Sequence, residues 1–378
     1  MKNTSGMYLS VKQVLPVLRP QLVVNREIAL EYLKSVNKKD FVRKIKTLQN
    51  KPQPEQRTEP WYAARETRVT ASEAANCLML DETSCKEYVE YYNLKNFKYK
   101  PNSCANAYSD LNTYMIEKTH KFYLRKKGII PAYMSTPATR WGSMFEEEAI
   151  RLYTLLTGDP VHEFGLITHS RLSWLAASPD GITPSGVMLE IKCPKSRKVT
   201  GVPPFHYFVQ CQIQLECCNL DMCHFLECEM EQFETEEEWR ISTSPKGLIV
   251  KKNESYIYPP KVEMTDDQFL AWAENIIHED PSETEIEIPT EPTEDLMDTE
   301  CNETETETKE PDVYSIVYYA IPDYTITNIP RMKNWFNLNK GKLKAVHEKL
   351  MWMQKDIENF NEFKRSLKNP EDEICLLD

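Results

Sequence analysis

The sequence predicts an α/β fold: a mixed central sheet flanked by helices, with a helical extension at the N-terminus and an α+β extension at the C-terminus. Three observations predict it. Val161 to Ile191 breaks into short apolar runs separated by Pro, Gly, Asp and Ser, the pattern of strands and hairpins, and Met222 to Met230 reads as another strand. Stretches with apolar residues at helical spacing lie on both sides of these strands, at Thr139 to Thr157 and Tyr207 to Glu216. At 378 residues the chain can bury a substantial core as one large domain, or one plus a small accessory.

Taken in order, residues 1–60 form a basic helical extension and linker. Val11 to Leu48 reads as mostly helical, with Pro16 and Pro20 early and a Lys-rich helix from about Arg26 to Leu48. Lys51 to Pro60 is a Pro- and Gln-rich linker. Residues 61–280 form the core. Trp61 to about Leu80 opens it, with a helix from Ala71 or Ser72, and a long insertion follows from about Asp81 to Pro137. The helix from Thr139 stops at Gly158. Thr265-Asp266-Asp267-Gln268 is a capping box that starts a helix to about His278. Residues 281–312 are Thr-, Glu- and Pro-rich, and they bury too little apolar surface to offset the entropy of ordering, so they read as disordered. In residues 313–378, Val313 to Ile321 alternates as a strand and Lys340 to Leu367 reads as one long amphipathic helix packing on the core.

Charge is segregated. The net charge is −12, and Pro281 to Asp312 carries all of it: thirteen acidic residues against one Lys. Met1 to Pro60 is at +7, Lys95 to Lys127 at +6 and Arg331 to Lys349 at +5, while Glu227 to Glu238 holds seven acids. Basic patches beside a carboxylate site suit a protein that holds a polyanion while using metals to cut it. The acidic segment is either a solvated loop or a mobile mimic of DNA. Lys95-Asn96-Phe97-Lys98-Tyr99-Lys100 and Lys121-Phe122-Tyr123-Leu124-Arg125-Lys126-Lys127 mix cations with aromatics, which suits phosphates and unstacked bases but equally suits core aromatics between surface lysines. No apolar run has the length of a membrane span, and no signal-peptide pattern opens the chain. Eleven scattered cysteines predict a reduced, intracellular protein. Cys211, Cys217, Cys218, Cys223, His224 and Cys228 crowd together without the paired spacing of a zinc finger, so buried thiols are expected.

The chemistry concentrates at Ser178-Pro179-Asp180-Gly181, followed by Glu190-Ile191-Lys192. Side chains alternate along a strand, so Glu190 and Lys192 share one face while Leu189, Ile191 and Cys193 point into a core. A hairpin would bring Asp180, at the preceding turn, beside Glu190. Two hard oxygen ligands suit Mg²⁺ or Mn²⁺, and a Lys in the pocket can position or deprotonate a water or neutralise a phosphate. Glu146 has Gly142, Ala149, Ile150 and Tyr153 as helical neighbours, and is either a solvated core-edge residue or a metal ligand. Glu147 and Glu148 read as solvent-facing. Gln210 and Gln214 lie four apart on one helical face, as holders of a water or phosphate oxygen or as a surface ladder.

Together with Trp61-Tyr62-Ala63-Ala64-Arg65, Val69-Thr70-Ala71-Ser72-Glu73 and Trp141-Gly142, these motifs resemble the lambda-exonuclease and YqaJ-like viral recombinase nucleases, including the viral alkaline exonucleases, within the PD-(D/E)xK superfamily. The resemblance runs from Trp61 to Glu229. It implies a restriction-endonuclease-like PD-(D/E)xK core and a metal-dependent 5′→3′ exodeoxyribonuclease that resects linear duplex DNA for recombination, repair or viral genome processing. Alternatives are a structure-specific endonuclease or RNA-degrading shutoff nuclease of the same fold, and a non-enzymatic nucleic-acid-binding protein. The resemblance makes Asp180, Glu190, the Ile191 carbonyl and Glu146 metal ligands for two Mg²⁺ or Mn²⁺ ions. It makes Lys192 the catalytic lysine and Gln210 the orderer of water or substrate. Arg65 and Ser72 would grip a 5′-terminal phosphate, with Arg68 a rival and Arg140 a second phosphate contact. Three acids in a row, Glu146 to Glu148, leave that ligand open to a slip of one position. The implied partners are duplex DNA with free ends and a single-strand annealing or single-strand-binding protein. The resemblance further implies no membrane, a monomer or ring-shaped homo-oligomer, and the nucleus or cytoplasm of an infected or host cell.

Overall fold

A computed structural model describes residues 20–77, 82–94, 120–130, 136–278 and 313–367, which divide into two units. The acidic segment and the cation–aromatic run over 95–100 lie outside the described residues. The larger unit opens with α1 (Pro20–Ser35), α2 (Lys38–Gln49), α3 (Glu59–Glu66), β1 (Val69–Thr70), α4 (Ala71–Cys77), α5 (Glu82–Tyr91) and a helical stretch over 120–126. It continues with α6 (Pro137–Thr157), β2 (Ile167–Thr168), β3 (Leu175–Ala177), β4 (Gly181–Ile182), β5 (Val187–Lys192), α7 (Phe205–Cys218) and β6 (Met222–Phe233), which passes into the smaller unit at Met230. The smaller unit follows with α8 (Glu236–Ile241), β7 (Lys246–Lys252), β8 (Ser255–Ile257), α9 (Asp266–His278) and the start of β9 (Tyr314–Pro330). The end of β9, α10 (Lys333–Lys355) and α11 (Ile357–Leu367) return to the larger unit.

In the larger unit the strand order is β4-β5-β6-β9, beside a three-stranded sheet β1-β3-β2. β4 and β5 are antiparallel with Gly181 opposite Leu189, and β5 and β6 are parallel with Glu190 opposite Phe225. A parallel pair needs a crossover, and α7 supplies it. In the smaller unit β9, β7 and β8 run antiparallel, and Trp239, Leu248, Val250, Phe269 and Ala273 form its core. The sheet is mixed and flanked by helices, as expected.

β5 is buried from Val187 to Ile191, because α6 packs on it and β6 covers its edge. α6 runs from a capping box at Thr136 and Thr139 to Gly158, whose φ of 67° is the left-handed conformation glycine adopts at helix ends. The Thr265–Gln268 box is formed, with Gln268 N donating to Thr265 Oγ1 at 3.3 Å. Two expected helices are each split. Asn37 takes an extended conformation and its side chain accepts from Lys39 N, which ends α1 and caps α2. Asp356 does the same, accepting from Asn359 N at 2.8 Å, so the C-terminal helix is two helices. Phe122, Tyr123 and Leu124 are core residues, so the aromatics of that basic run do not await bases. The described members of the cysteine cluster are all buried in the core. None of the described helices is long and apolar enough to cross a membrane.

α10 docks on α7 through aromatic packing. Phe208 is fully buried, stacked on Phe205 at 5.8 Å and edge-on to Trp335 at 5.8 Å, and the Trp335 indole donates to Ser84 O at 2.9 Å. Phe208→Ala is therefore expected to lose about 3–5 kcal/mol of stability, a cavity effect read as a lower urea midpoint at unchanged slope.

Candidate active site

The β4–β5 hairpin sets the centre. Asp180 stands just before β4, and its Oδ2 accepts from Ile191 N at 2.6 Å, which fixes the carboxylate beside β5. Glu190 is fully buried on the neighbouring strand. A buried carboxylate needs several donors. Glu190 Oε1 accepts from Gln210 Nε2 at 2.7 Å and from Lys192 Nζ, and Oε2 accepts from Gln214 Nε2 at 2.6 Å. Gln214 is itself fully buried and also donates to Ser178 O at 3.3 Å. The two glutamines four apart thus face the sheet and are no surface ladder.

Glu146 reaches the same cavity from α6. This cavity, about 550 Å³, is lined by Arg57, Glu146, Glu147 and Asp180 among others. Glu146 Oε2 pairs with Arg57 Nη2 at 3.1 Å. Glu147 lines the cavity half-buried, so the acidic run offers it two carboxylates. Glu148 corrects its expectation: it is buried, because Arg151 one turn on is buried with it and donates from Nε at 2.8 Å.

Electrostatics follow from crowding. Burial, then the charges of Glu190 and Glu146, push the Asp180 carboxyl well above its ordinary value. Burial and Glu190 also raise Glu146, against the pull of Arg57 and Lys192. Burial alone would lower the Lys192 ammonium, but Glu190, Asp180 and Tyr207 outweigh it and raise it, and its Nζ lies 5.0 Å from the centre of the Tyr207 ring. Among the described residues no three His, Cys, Asp or Glu side chains converge into a ready metal cage, since each carboxylate is turned onto a local donor. The donor chemistry nevertheless fits a hard divalent ion: only oxygens, on carboxylates held close enough to oppose one another's charge.

A second cavity of about 450 Å³ is lined by Arg57, Trp61, Arg65, Glu73, Arg125 and Lys126 among others. The Arg65 guanidinium lies 4.1 Å over the Trp61 ring, with Nη2 donating to Ser72 Oγ at 3.4 Å and standing 3.9 Å from Glu73. Lys126 pairs with Glu73 at 2.8 Å. Burial alone would raise the Glu73 carboxyl, but Lys126 and Arg65 hold it below its ordinary value. Arg68 is placed elsewhere: it donates to Ala64 O and, at 3.1 Å, to Ser173 O, tying α3 to the loop before β3. Arg140 is exposed in the first turn of α6. Arg57 lines both cavities, and Trp61, in the wall of the second, donates from Nε1 to Ser178 Oγ at 2.8 Å, two residues before Asp180. Sequence reasoning offered Gln214 only as one of two alternatives, and missed the Trp61–Ser178 bond and Arg57, Glu73 and Lys126 as members. The weak signal was Arg57 and Trp61 flanking the helix start; nothing marked Lys126 within its basic run.

Residues 60–221 match the family model of the YqaJ-like viral recombinase domain, and over these residues the family resemblance of the motifs is borne out. The chain is 28% identical over 177 residues to an uncharacterized protein of Acanthamoeba polyphaga mimivirus, covering 35% of this chain and 32% of that one. The chain therefore spans about a third of the length of that curated relative. Similar solved structures include an alkaline exonuclease (LHK-Exo) from Laribacter hongkongensis, at 17% identity over 82% of this chain and 100% of that one with a TM-score of 0.41. A phage-related exonuclease from Haemophilus somnus matches at 13% identity over 78% of this chain and 99% of that one, with a TM-score of 0.33.

Crowding makes the site costly without a cation. A carboxyl whose folded value lies above its ordinary 3.8 holds its proton more tightly when folded, so its stabilising contribution is present in acid and is lost as pH rises through the folded value. Asp180→Asn keeps an acceptor for Ile191 N and removes the charge. In chelator, its Tm is expected to equal that of wild type in acid and to exceed it increasingly as pH rises above 3.8, the ordinary value for Asp. A constant or falling difference would contradict the crowding.

Proposed function

We propose that this chain is a metal-dependent deoxyribonuclease that degrades linear duplex DNA from 5′ ends by phosphodiester hydrolysis. The observation that carries the reading is the meeting of Asp180, Glu190, Lys192, Glu146 and Gln210 around one hairpin, beside a cavity presenting Arg65. Asp180, Glu190, Glu146 and the Ile191 carbonyl would hold Mg²⁺ or Mn²⁺, which would supply charge neutralisation on the phosphate and an acidified water. Glu190 and Asp180 favour the Lys192 ammonium, so of the roles open to it, positioning a water or neutralising a phosphate fits better than taking a proton. Gln210 and Gln214 anchor Glu190 so that its position survives the exchange of Lys192 for substrate.

The Arg65 cavity supports action at an end. Contact with the Trp61 ring positions the guanidinium, and its weak bond to Ser72 and distant pairing with Glu73 would yield to phosphate oxygens gripped as a fork. A phosphate contact carries no base information, so the site reads a terminus and not a sequence. Duplex DNA with free ends is the proposed substrate, and intracellular DNA recombination, repair or viral genome processing the setting.

Asp180→Ala and Glu190→Ala are each expected to abolish Mg²⁺-dependent digestion of end-labelled linear duplex, and chelator to do the same to wild type; digestion surviving both substitutions would overturn the assignment. Arg65→Ala is expected to weaken use of 5′-phosphorylated ends by about ten- to a hundredfold while sparing unphosphorylated ends. Equal loss on both ends would show that Arg65 does not read the phosphate.

A further inference from the structure

The segment upstream of the family match reads as a linker, yet it is fastened to the catalytic hairpin. Gly165 N donates to Gln53 Oε1 at 2.9 Å, and Leu166 N donates to Pro54 O at 2.9 Å. Gln56 Nε2 donates to Phe164 O at 2.9 Å and to Pro179 O, the residue before Asp180, at 3.1 Å. Gly165 is what admits the strap: a Cβ there would stand 2.1 Å from Pro54 O. The strap delivers Arg57 with φ of 67°, a conformation sparsely populated by residues that carry a side chain. Such a backbone persists only where its surroundings over-determine it, and the contacts at Gln53, Pro54 and Gln56 do so.

Arg57 lines both cavities, the one holding Arg65 and the one holding Asp180 and Glu146. Among the described residues its guanidinium pairs with Glu146 at 3.1 Å, and its side chain is 60% exposed. An ion pair that open to water is weak and readily exchanged. A strand whose 5′ end sits by Arg65 and whose cut bond sits by Asp180 passes the guanidinium between them. We propose that Arg57 is a substrate-binding residue that exchanges Glu146 for a phosphate of the DNA backbone between the end-binding cavity and the carboxylates. Arginine suits this exchange, since it is always charged and its planar fork matches carboxylate and phosphate alike. The exchange also frees the Glu146 carboxylate toward Asp180 and Glu190. This inference rests on the nuclease reading above and adds to it a contact outside residues 60–221.

The test is equilibrium binding of a short blunt 5′-phosphorylated duplex with Ca²⁺ in place of Mg²⁺, followed as a function of salt for wild type, Arg57→Gln, Arg57→Lys and Arg57→Gly. Arg57→Gln is expected to bind about tenfold or more weakly, and its log–log salt dependence to flatten by about 0.9, the signature of one lost phosphate contact. Arg57→Lys keeps the wild-type slope. Arg57→Gly loses binding like Arg57→Gln while its Tm stays at or above that of wild type, because glycine accepts the positive φ without cost; this separates loss of contact from loss of fold. Wild-type affinity and slope in both Arg57→Gln and Arg57→Gly, with wild type still digesting duplex in Mg²⁺, would overturn the role of Arg57 alone. Failure of wild type both to bind and to digest would overturn the nuclease reading and this inference with it.

Discussion

A carboxylate placed wholly inside a protein costs several kcal/mol unless charge and hydrogen bonds meet it, and Glu190 is such a carboxylate. Its two oxygens draw on Lys192 from its own strand and on Gln210 and Gln214 from successive turns of α7. That requirement fixes how α7 is rotated on the sheet. Once the glutamine face is turned to β5, Phe208 is committed to Trp335. Gln212 then points away to hold the C-terminal extension, donating to Pro330 O at 2.9 Å and accepting from Met332 N at 2.7 Å. Packing of the core and placement of the chemistry are one solution around a single buried charge.

The same solution leaves the site with more negative than positive charge. Lys192 is shared among Glu190, Asp180 and Glu146, and it cannot neutralise all three. The excess shows as an Asp180 carboxyl pushed well above its ordinary value by burial and by the Glu190 and Glu146 charges; in the proposed nuclease a divalent cation would relieve it. The contrast with Glu148 and Arg151 is instructive. That pair is also buried on α6, but there a carboxylate meets a guanidinium of its own helix at 2.8 Å. Carboxylates crowded against one another mark the proposed catalytic cluster.

Much of this was legible in the sequence where local rules decide. Period-two alternation placed Glu190 and Lys192 together, the Asp-Gly turn placed Asp180 beside them, and Gly158 and the Thr265–Gln268 box marked helix ends that exist. The failures have a common cause, which is that short polar residues and charges carry no label for whether they meet solvent or another element. Asn37 and Asp356 interrupt helices because their side chains cap the next one, although apolar periodicity runs on through them. Glu148 reads as solvent-facing until Arg151 is seen to be buried with it. Gln214 differs from a surface glutamine only because α7 is covered on every side. Gln53 to Arg57 look like linker because the bonds that hold them end on residues about a hundred positions later.

One aromatic ring ties the Arg65 cavity to the chain just before Asp180. Trp61 carries Arg65 on its face and bonds Ser178 at its edge, and Ser178 O in turn receives Gln214, which holds Glu190. From the guanidinium to the buried carboxylate the path runs through packed or hydrogen-bonded groups, with rigid elements at both ends. A loop in that place would let the spacing drift, and misplacement of a reacting phosphate by about 1 Å is enough to cost a large part of a catalytic rate. An indole has few rotatable bonds and two distinct ways of being held, by its face and by its N–H. It therefore fixes a length as well as making a contact, and in the proposed nuclease that length would set how far from a bound terminal phosphate the bond is cut.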